Sequence, residues 1–366
     1  MSASDRVSVF DSVAFSGGIR IYHLSASDSV SVHDAATDTS LVATTRIYWG
    51  ASILGSVYGG TNAGYANPPW PGTPDDATWN LFESHAGKRV AAIAVHENFV
   101  TWSSSPMDHA FSRGAFCLMT SGLEGGATMA SIAAGSWDSQ IDAWAQQVAS
   151  WGKPFMFRWC WEMNGNWGTS SGYTWQTEYG TTAAQYVAAW QRFKSRCDAQ
   201  GATNITWVWC PNIWTGSGTV SVDPTPWYPG DAYVDWLGID GYNTGSTSES
   251  FVNLYTHSMN GFASLSPNKP IVICEFASED SYGSSGKASW ITDTFAQIAN
   301  KTFPQIKAAL WYNNNNGSYT DGSGATDTFA IESSSASQSA FAASIANSKF
   351  VAAPAGGWTS GKVPQP

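Results

Sequence analysis

The chain is expected to fold as an α/β protein, a (β/α)8 TIM barrel with a short N-terminal β-strand appendage. Three features lead to this fold class. Eight short, near-continuous apolar runs follow one another from Arg46 onward. Helical patterns lie between several of them, as expected when a parallel sheet is covered on both faces. Polar residues gather directly after the runs, where the loops of such a barrel carry its site.

The first element is a repeat. Ser2–Asp11 reads SASDRVSVFD and Ser25–Asp34 reads SASDSVSVHD. Each copy alternates Val with polar residues, which is a strand pattern, and two copies are too few for a solenoid. Residues 1–44 are therefore expected to form a β appendage or leader, 45–350 the (β/α)8 domain and 351–366 a C-terminal tail.

The strand candidates are Arg46–Ala51, Arg89–His96, Ala115–Met119, Pro154–Cys160, Asn204–Cys210, Val234–Ile239, Pro270–Cys274 and Ile306–Tyr312. Asp138–Trp151 carries Ile141, Trp144, Ala145 and Val148 at helical spacing. Thr181–Gln200 and Ser289–Ile298 show the same periodicity. The rim then reads His96-Glu97-Asn98, Trp161-Glu162-Met163-Asn164, Pro211-Asn212, Asp240-Gly241-Tyr242, Glu275-Phe276 and Tyr312-Asn313.

Two of these strand ends carry a carboxylate after an apolar run, Glu162 and Glu275. Retaining glycoside hydrolysis needs such a pair, with carboxyl groups about 5–5.5 Å apart and held in different protonation states. Strands four and seven lie nearly opposite each other in an eight-stranded barrel, so the two side chains can converge over its mouth. A structural ion pair of Glu162 with Arg158 is the plainer reading, but a second strand-end Glu argues for chemistry. Asp240 reads equally as a loop brace or a sugar contact, and Glu97, Glu279 and Asp280 as surface or secondary groups.

The segments Arg158-x-x-x-Glu162-Met163-Asn164-Gly165-x-Trp167, Asp235-Trp236-x-Gly238-x-Asp240-x-Tyr242 and Pro270-Ile271-x-x-x-Glu275 resemble glycoside hydrolase family 26, in the large clan of (β/α)8 retaining glycosidases. Ser136-Trp137-Asp138, Lys153-Pro154 and Trp311-Tyr312-Asn313 extend the likeness, which runs from Arg46 to Ser344. The resemblance implies Glu162 as general acid/base and Glu275 as nucleophile. It implies Arg158 under the carboxylates, Tyr242 reaching the nucleophile, Trp311 as floor of the cleaved sugar and Trp167 on the leaving-group side. His96, Asn164 and Asn212 are implied as hydroxyl partners. Trp161 stands where mannanases of the family carry a His that meets the sugar, and is itself expected to contact substrate. The family implies an endo-β-1,4-mannanase; the Trp at this position brings mixed-linkage β-1,3-1,4-glucan and xylan into range.

Composition narrows the alternatives. Charged residues are 12% of the chain and the net charge is −11, so a nucleic-acid partner, which needs clustered cations, is not expected. No run reaches 18 apolar residues, so no membrane span is expected. The 20 Trp exceed what a core needs; about half are expected in the core and several in a cleft. Trp79, Trp102, Trp137, Trp144 and Trp190 read as core, whereas Trp214 and Trp227 fit either core or subsite. The five Cys have no metal or disulfide-framework spacing and read as buried hydrophobes, with a single disulfide left open. No cofactor or metal is expected. The opening residues do not read as a secretory leader, yet the glycanase reading predicts a secreted or cell-surface monomer whose partner is a polysaccharide. Two other classes fit parts of the sequence: a non-catalytic carbohydrate-binding protein, and an adhesive protein suggested by the N-terminal repeat.

Overall fold

The computed structural model describes residues 6–9, 14–16, 19–21, 24–29, 46–54, 76–167, 172–215, 221–244, 249–280, 286–314, 329–352, 358 and 361–366. The chain divides into two compact units, residues 1–44 and 45–366.

In the first unit, β1 (Arg6–Val9) pairs antiparallel with β4 (Leu24–Ser29), and β2 (Ala14–Ser16) with β3 (Ile19–Ile21). The described parts of the two copies thus pair with each other, Arg6 opposite Ser29 and Ser8 opposite Ser25. The remainder of both copies lies outside the described residues.

The second unit is the barrel. Its strands are β5 (Ile47–Leu54), β6 (Ala92–His96), β7 (Phe116–Ser121), β8 (Phe155–Trp159), β9 (Ile205–Trp209), β10 (Trp236–Asn243), β11 (Ile271–Ser278) and β12 (Ile306–Asn314). Each pairs in parallel with the next, and β12 returns to β5 with Trp311 opposite Ala51, closing the ring. All eight strand candidates are present, and several strands extend a few residues further into the rim. A closed ring leaves no unpaired edge, so strands such as Phe116–Ser121 and Ile205–Trp209 can be buried along their whole length.

Helices α1 (Asp76–Ala86), α2 (Ser105–Ser112), α3 (Met129–Ala133), α4 (Asp138–Trp151), α5 (Ala183–Ala199), α6 (Phe251–Leu265), α7 (Gly286–Ala299) and α8 (Ser335–Ile345) belong to the same unit. Helix α4 buries Ile141, Trp144, Ala145 and Val148, the periodic set. It stops at Gly152, whose φ of 70° is the left-handed turn that glycine adopts without a Cβ penalty. Helix α5 starts at a capping box, Thr182 and Gln185 satisfying each other's backbone N–H.

Thirteen Trp are buried among the described residues, more than half of the 20. Trp79, Trp144 and Trp190 are fully buried, and Trp102 and Trp137 are half-buried in the layer beside them. All five Cys are free and buried. No described helix is long and apolar enough to cross a membrane.

The C-terminal residues pack beneath the barrel, at the N-terminal ends of its strands. Strand β13 (Phe350–Val351) pairs with the start of β5. Trp358 packs edge-on against Tyr48 and Phe116, and the Val363 N–H donates to the Thr206 hydroxyl at 2.8 Å. The lower mouth is thereby covered, and the polar constellation lies at the upper one.

Candidate active site

Strand β8 ends in an unusual turn. Cys160 and Glu162 have φ of 48° and 52°, a left-handed conformation that non-glycine residues rarely adopt. The turn departs from strand geometry immediately before the loop that carries Trp167. Glu162 remains tied to the barrel because its N–H donates to the Cys210 carbonyl at 2.7 Å. The Glu162 carboxyl accepts at both oxygens, from Asn212 Nδ2 on Oε1 and from Trp167 Nε1 on Oε2, each at 2.8 Å.

Glu275 reaches the same mouth from β11. Arg158 and the Tyr242 hydroxyl each donate to one of its oxygens. Arg158 is fully buried. Its Nε donates to Thr120 and its Nη1 to both oxygens of Asp240, at 2.9 and 2.8 Å. Burial opposes the charge of this guanidinium, and the negative charges of Asp240 and Glu275 more than offset it. Asp240 is therefore the brace beneath the site: its carboxylate is fully engaged by Arg158, and a sugar has no access to it.

These surroundings push the two carboxyl groups apart. Burial, then the negative charge of Glu275, raises Glu162 to about 7, against the lesser opposition of Asn212, Arg158 and Trp167. Burial would raise Glu275 as well, but Arg158, His96 and Tyr242 hold it below the ordinary carboxylate range. Below about pH 7 Glu162 keeps its proton while Glu275 is ionised. His96, at the end of β6, is driven down to about 4 by burial and by Arg158, and so is uncharged at neutral pH.

The remaining sequence candidates divide by contact. His96 packs edge-on against Trp161. Trp161 is 2% exposed, with Arg158 over its ring and Tyr173 and Trp175 against it, so it backs the site and has almost no face for a sugar. Asn164 is also a correction. It donates to the carbonyls of Asn212 and Val222 and accepts from the Asn212 N–H, which positions Asn212 and leaves little for a ligand. Trp311 does not floor the site. It is fully buried on the outer side of β12 among Phe276, Trp290 and Phe341, because successive strand residues face opposite ways. Tyr312 takes the inward position, edge-on to Tyr242. Asn313 is buried against Glu332 and Ile331, and Glu279, expected near the surface, is fully buried.

Sequence reasoning missed Tyr173, Gln176 and Tyr312. Strand alternation after Trp311 would have pointed to Tyr312; Tyr173 and Gln176 lie in a loop with no periodic signal. Trp214 is buried against Phe262, whereas Trp227 lines a cavity of about 620 Å³ with Asn164, Asn166, Glu178, Val222 and Asp223. This cavity adjoins the loop that follows Glu162.

Among the described residues, Cys210, Asp240 and Cys274 are close enough together to suggest a metal site. The chemistry does not fit, because the Arg158 cation already occupies both Asp240 oxygens.

The sequence pattern described as glycosyl hydrolase family 26 matches residues 128–301, which span both carboxylates. Endoglucanase H of Acetivibrio thermocellus is 31% identical over 275 residues, covering 70% of this chain and 29% of that protein. Mannan endo-1,4-beta-mannosidase of Bacillus subtilis is 28% identical over 153 residues, covering 40% of this chain and 36% of that protein. The chain thus spans about a third of the length of these curated relatives. The fold is shared with the GH26 beta-mannanase of Bacteroides ovatus, at a TM-score of 0.57 and 16% identity over 84% of this chain and 91% of that one. It is shared with the GH26 endo-beta-1,4-mannanase of Bacillus sp. JAMB-750, at 0.56 and 16% over 84% and 87%. With its closed parallel barrel and two rim carboxylates, the chain belongs to glycoside hydrolase family 26.

Proposed function

We propose that the barrel is a retaining endo-β-glycanase acting on β-1,4-linked polysaccharide, with Glu162 as acid/base and Glu275 as nucleophile. The observation that carries this reading is the opposite displacement of the two carboxyl groups, Glu162 up to about 7 and Glu275 below its usual range.

In the first step a Glu275 oxygen attacks the anomeric carbon. The bond to the leaving sugar breaks, and its oxygen takes the Glu162 proton. In the second step water attacks the same carbon and gives a proton to Glu162, and the Glu275 ester bond breaks. A depressed pKa favours this route over inversion. A general base works best with a pKa near the working pH, whereas a carboxylate held ionised by Arg158 and Tyr242 is a weak base and a good nucleophile and leaving group.

For the backbone sugar, a β-glucan containing 1,4 bonds is the first reading. It is supported by the likeness to an endoglucanase over most of the barrel and by the apolar Trp161 at the position where mannanases of the family carry His. β-1,4-Mannan is the second, favoured by the mannosidase relative and by His96, which lies beside Trp161 and is a candidate reader of a sugar hydroxyl. The chemistry needs no cofactor. A polymeric substrate suits a secreted or surface-bound monomer.

The test is an early-time NMR assay of the product anomer on mixed-linkage glucan, mannan, xylan and a soluble cellulose derivative, with Glu162→Ala and Glu275→Ala beside the wild type. Retention of the β anomer is expected on one backbone, with both variants inactive on it. An initial α product, or full activity in either variant, removes this reading.

A further inference from the structure

The turn that carries Glu162 is held by three buried side chains. The Tyr186 hydroxyl donates to the Cys160 carbonyl at 3.0 Å, Trp175 Nε1 to the Trp161 carbonyl at 2.6 Å and Gln176 Nε2 to the Glu162 carbonyl at 2.7 Å. Three consecutive carbonyls are thus capped by side chains, where a continuing strand would have used its ladder. Of the three, the outer two, Cys160 and Glu162, have positive φ. Backbone in that region persists only when its surroundings over-determine it.

Of the three donors, Gln176 is tied most directly to the acid/base. It is fully buried. While its Nε2 holds the Glu162 carbonyl, its Oε1 accepts from the Trp167 N–H at 3.4 Å. The Trp167 indole in turn donates to the Glu162 carboxyl. One amide therefore spans the backbone of the proton donor and the residue that hydrogen-bonds its carboxyl. Gly165 makes room for this arrangement: a Cβ there would lie 2.5 Å from the Trp167 ring and 2.8 Å from Gln176 Nε2.

We infer that Gln176 is a positioning residue for the acid/base: by clamping the Glu162 carbonyl and the Trp167 amide together, it fixes where the proton of Glu162 is delivered. The inference rests on Glu162 acting as general acid, as proposed above. Gln176 touches no substrate; it acts through Glu162 and Trp167. The amide is suited to this task because it donates and accepts at once, which neither a carboxylate nor a hydrocarbon side chain of that length can do.

The test separates proton delivery from simple loss of structure. Gln176→Met keeps the length of the side chain and removes both hydrogen bonds. kcat/KM, which reports the first displacement, is measured on unactivated polysaccharide and on a 2,4-dinitrophenyl β-glycoside of the backbone disaccharide, whose leaving group needs no proton. Misplaced reacting groups cost about 10²-fold, so a fall of roughly that size is expected on the polysaccharide, against less than about threefold on the aryl glycoside. The basic limb of the pH profile is also expected to move up, because the Trp167 hydrogen bond favours the ionised form of Glu162. Equal losses on the two substrates, or an unshifted pH profile, overturn the inference. If Gln176→Met does not fold, Gln176→Asn, which keeps the amide but withdraws it from the Glu162 carbonyl and the Trp167 N–H, is held to the same two criteria. Glu162→Ala is the control: without leaving-group dependence there, the acid assignment itself fails.

Discussion

The indole N–H of Trp167 meets Oε2 of Glu162 at 2.8 Å, from five residues further along the same loop. Asn212 holds the other oxygen. Both bonds favour the ionised form, yet burial and the Glu275 charge outweigh them. Removing one donor should therefore raise the acid further. Trp167→Phe is expected to shift the basic limb of kcat/KM to higher pH. Hydrogen bonds to charged groups are worth about 1.5–3 kcal/mol, so a fall of roughly tenfold or more at the optimum is expected as well. A titration of rate against pH checks both, and an unmoved limb removes Trp167 from the control of Glu162.

The wild-type profile is itself specified. With Glu162 as the proposed acid and Glu275 as the proposed nucleophile, the basic limb is expected near pH 7 and the acid limb below the ordinary glutamate range. Steady-state kcat/KM over pH 3–9 decides this. A profile still rising above pH 8 would be inconsistent with Glu162 as the acid.

The same burial has a cost in stability. With its folded pKa raised, Glu162 contributes fully below its unfolded value and loses that contribution as pH rises through about 7. Above that, the buried charge costs roughly 3 kcal/mol. Glu162→Gln is expected to raise Tm by a few degrees more at pH 8 than at pH 5, measured by calorimetry. A difference independent of pH would show that the charge is not buried in the folded chain.

Arg158 supports two carboxylates, Asp240 and Glu275. Arg158→Met leaves both buried without a cation, which costs about 3–5 kcal/mol in urea unfolding. In whatever fraction folds, Glu275 loses the cation that held it ionised, so the acid limb moves up toward neutral pH. An unchanged unfolding midpoint would show that the ion pairs carry no weight.

Trp227 offers a ring to the cavity beyond the Glu162 loop. If substrate runs through it, Trp227→Ala shifts the bond cleaved in an end-labelled hexasaccharide while leaving the rate on polymer within about threefold, since one lost stacking contact is worth on the order of 1 kcal/mol. An identical product ladder places the cavity off the substrate path.

Much of the frame was legible because its signals are local. A strand buried on both faces is a run of apolar residues, so Phe155–Trp159 and Ile271–Ser278 could be read in isolation. Helix α4 is legible to its ends because its apolar spacing lies within one segment. The site was less legible. Trp311 and Tyr312 are neighbours of similar chemistry, and only the packing of α7 and α8 onto β12 shows which faces outward. Trp161 reads as a sugar contact until Tyr173 and Trp175 are seen against it.

Local pattern alone therefore specified eight strands, their order and the two glutamates that follow their apolar runs, since periodicity and burial are written within a few residues of each other. The tertiary structure decided the chemistry of those glutamates. Arg158 and Glu275 are 117 residues apart, and Asn212 and Glu162 are 50. A pKa depends on which charges and donors stand within a few ångströms in space, and only the closure of the barrel brings them there.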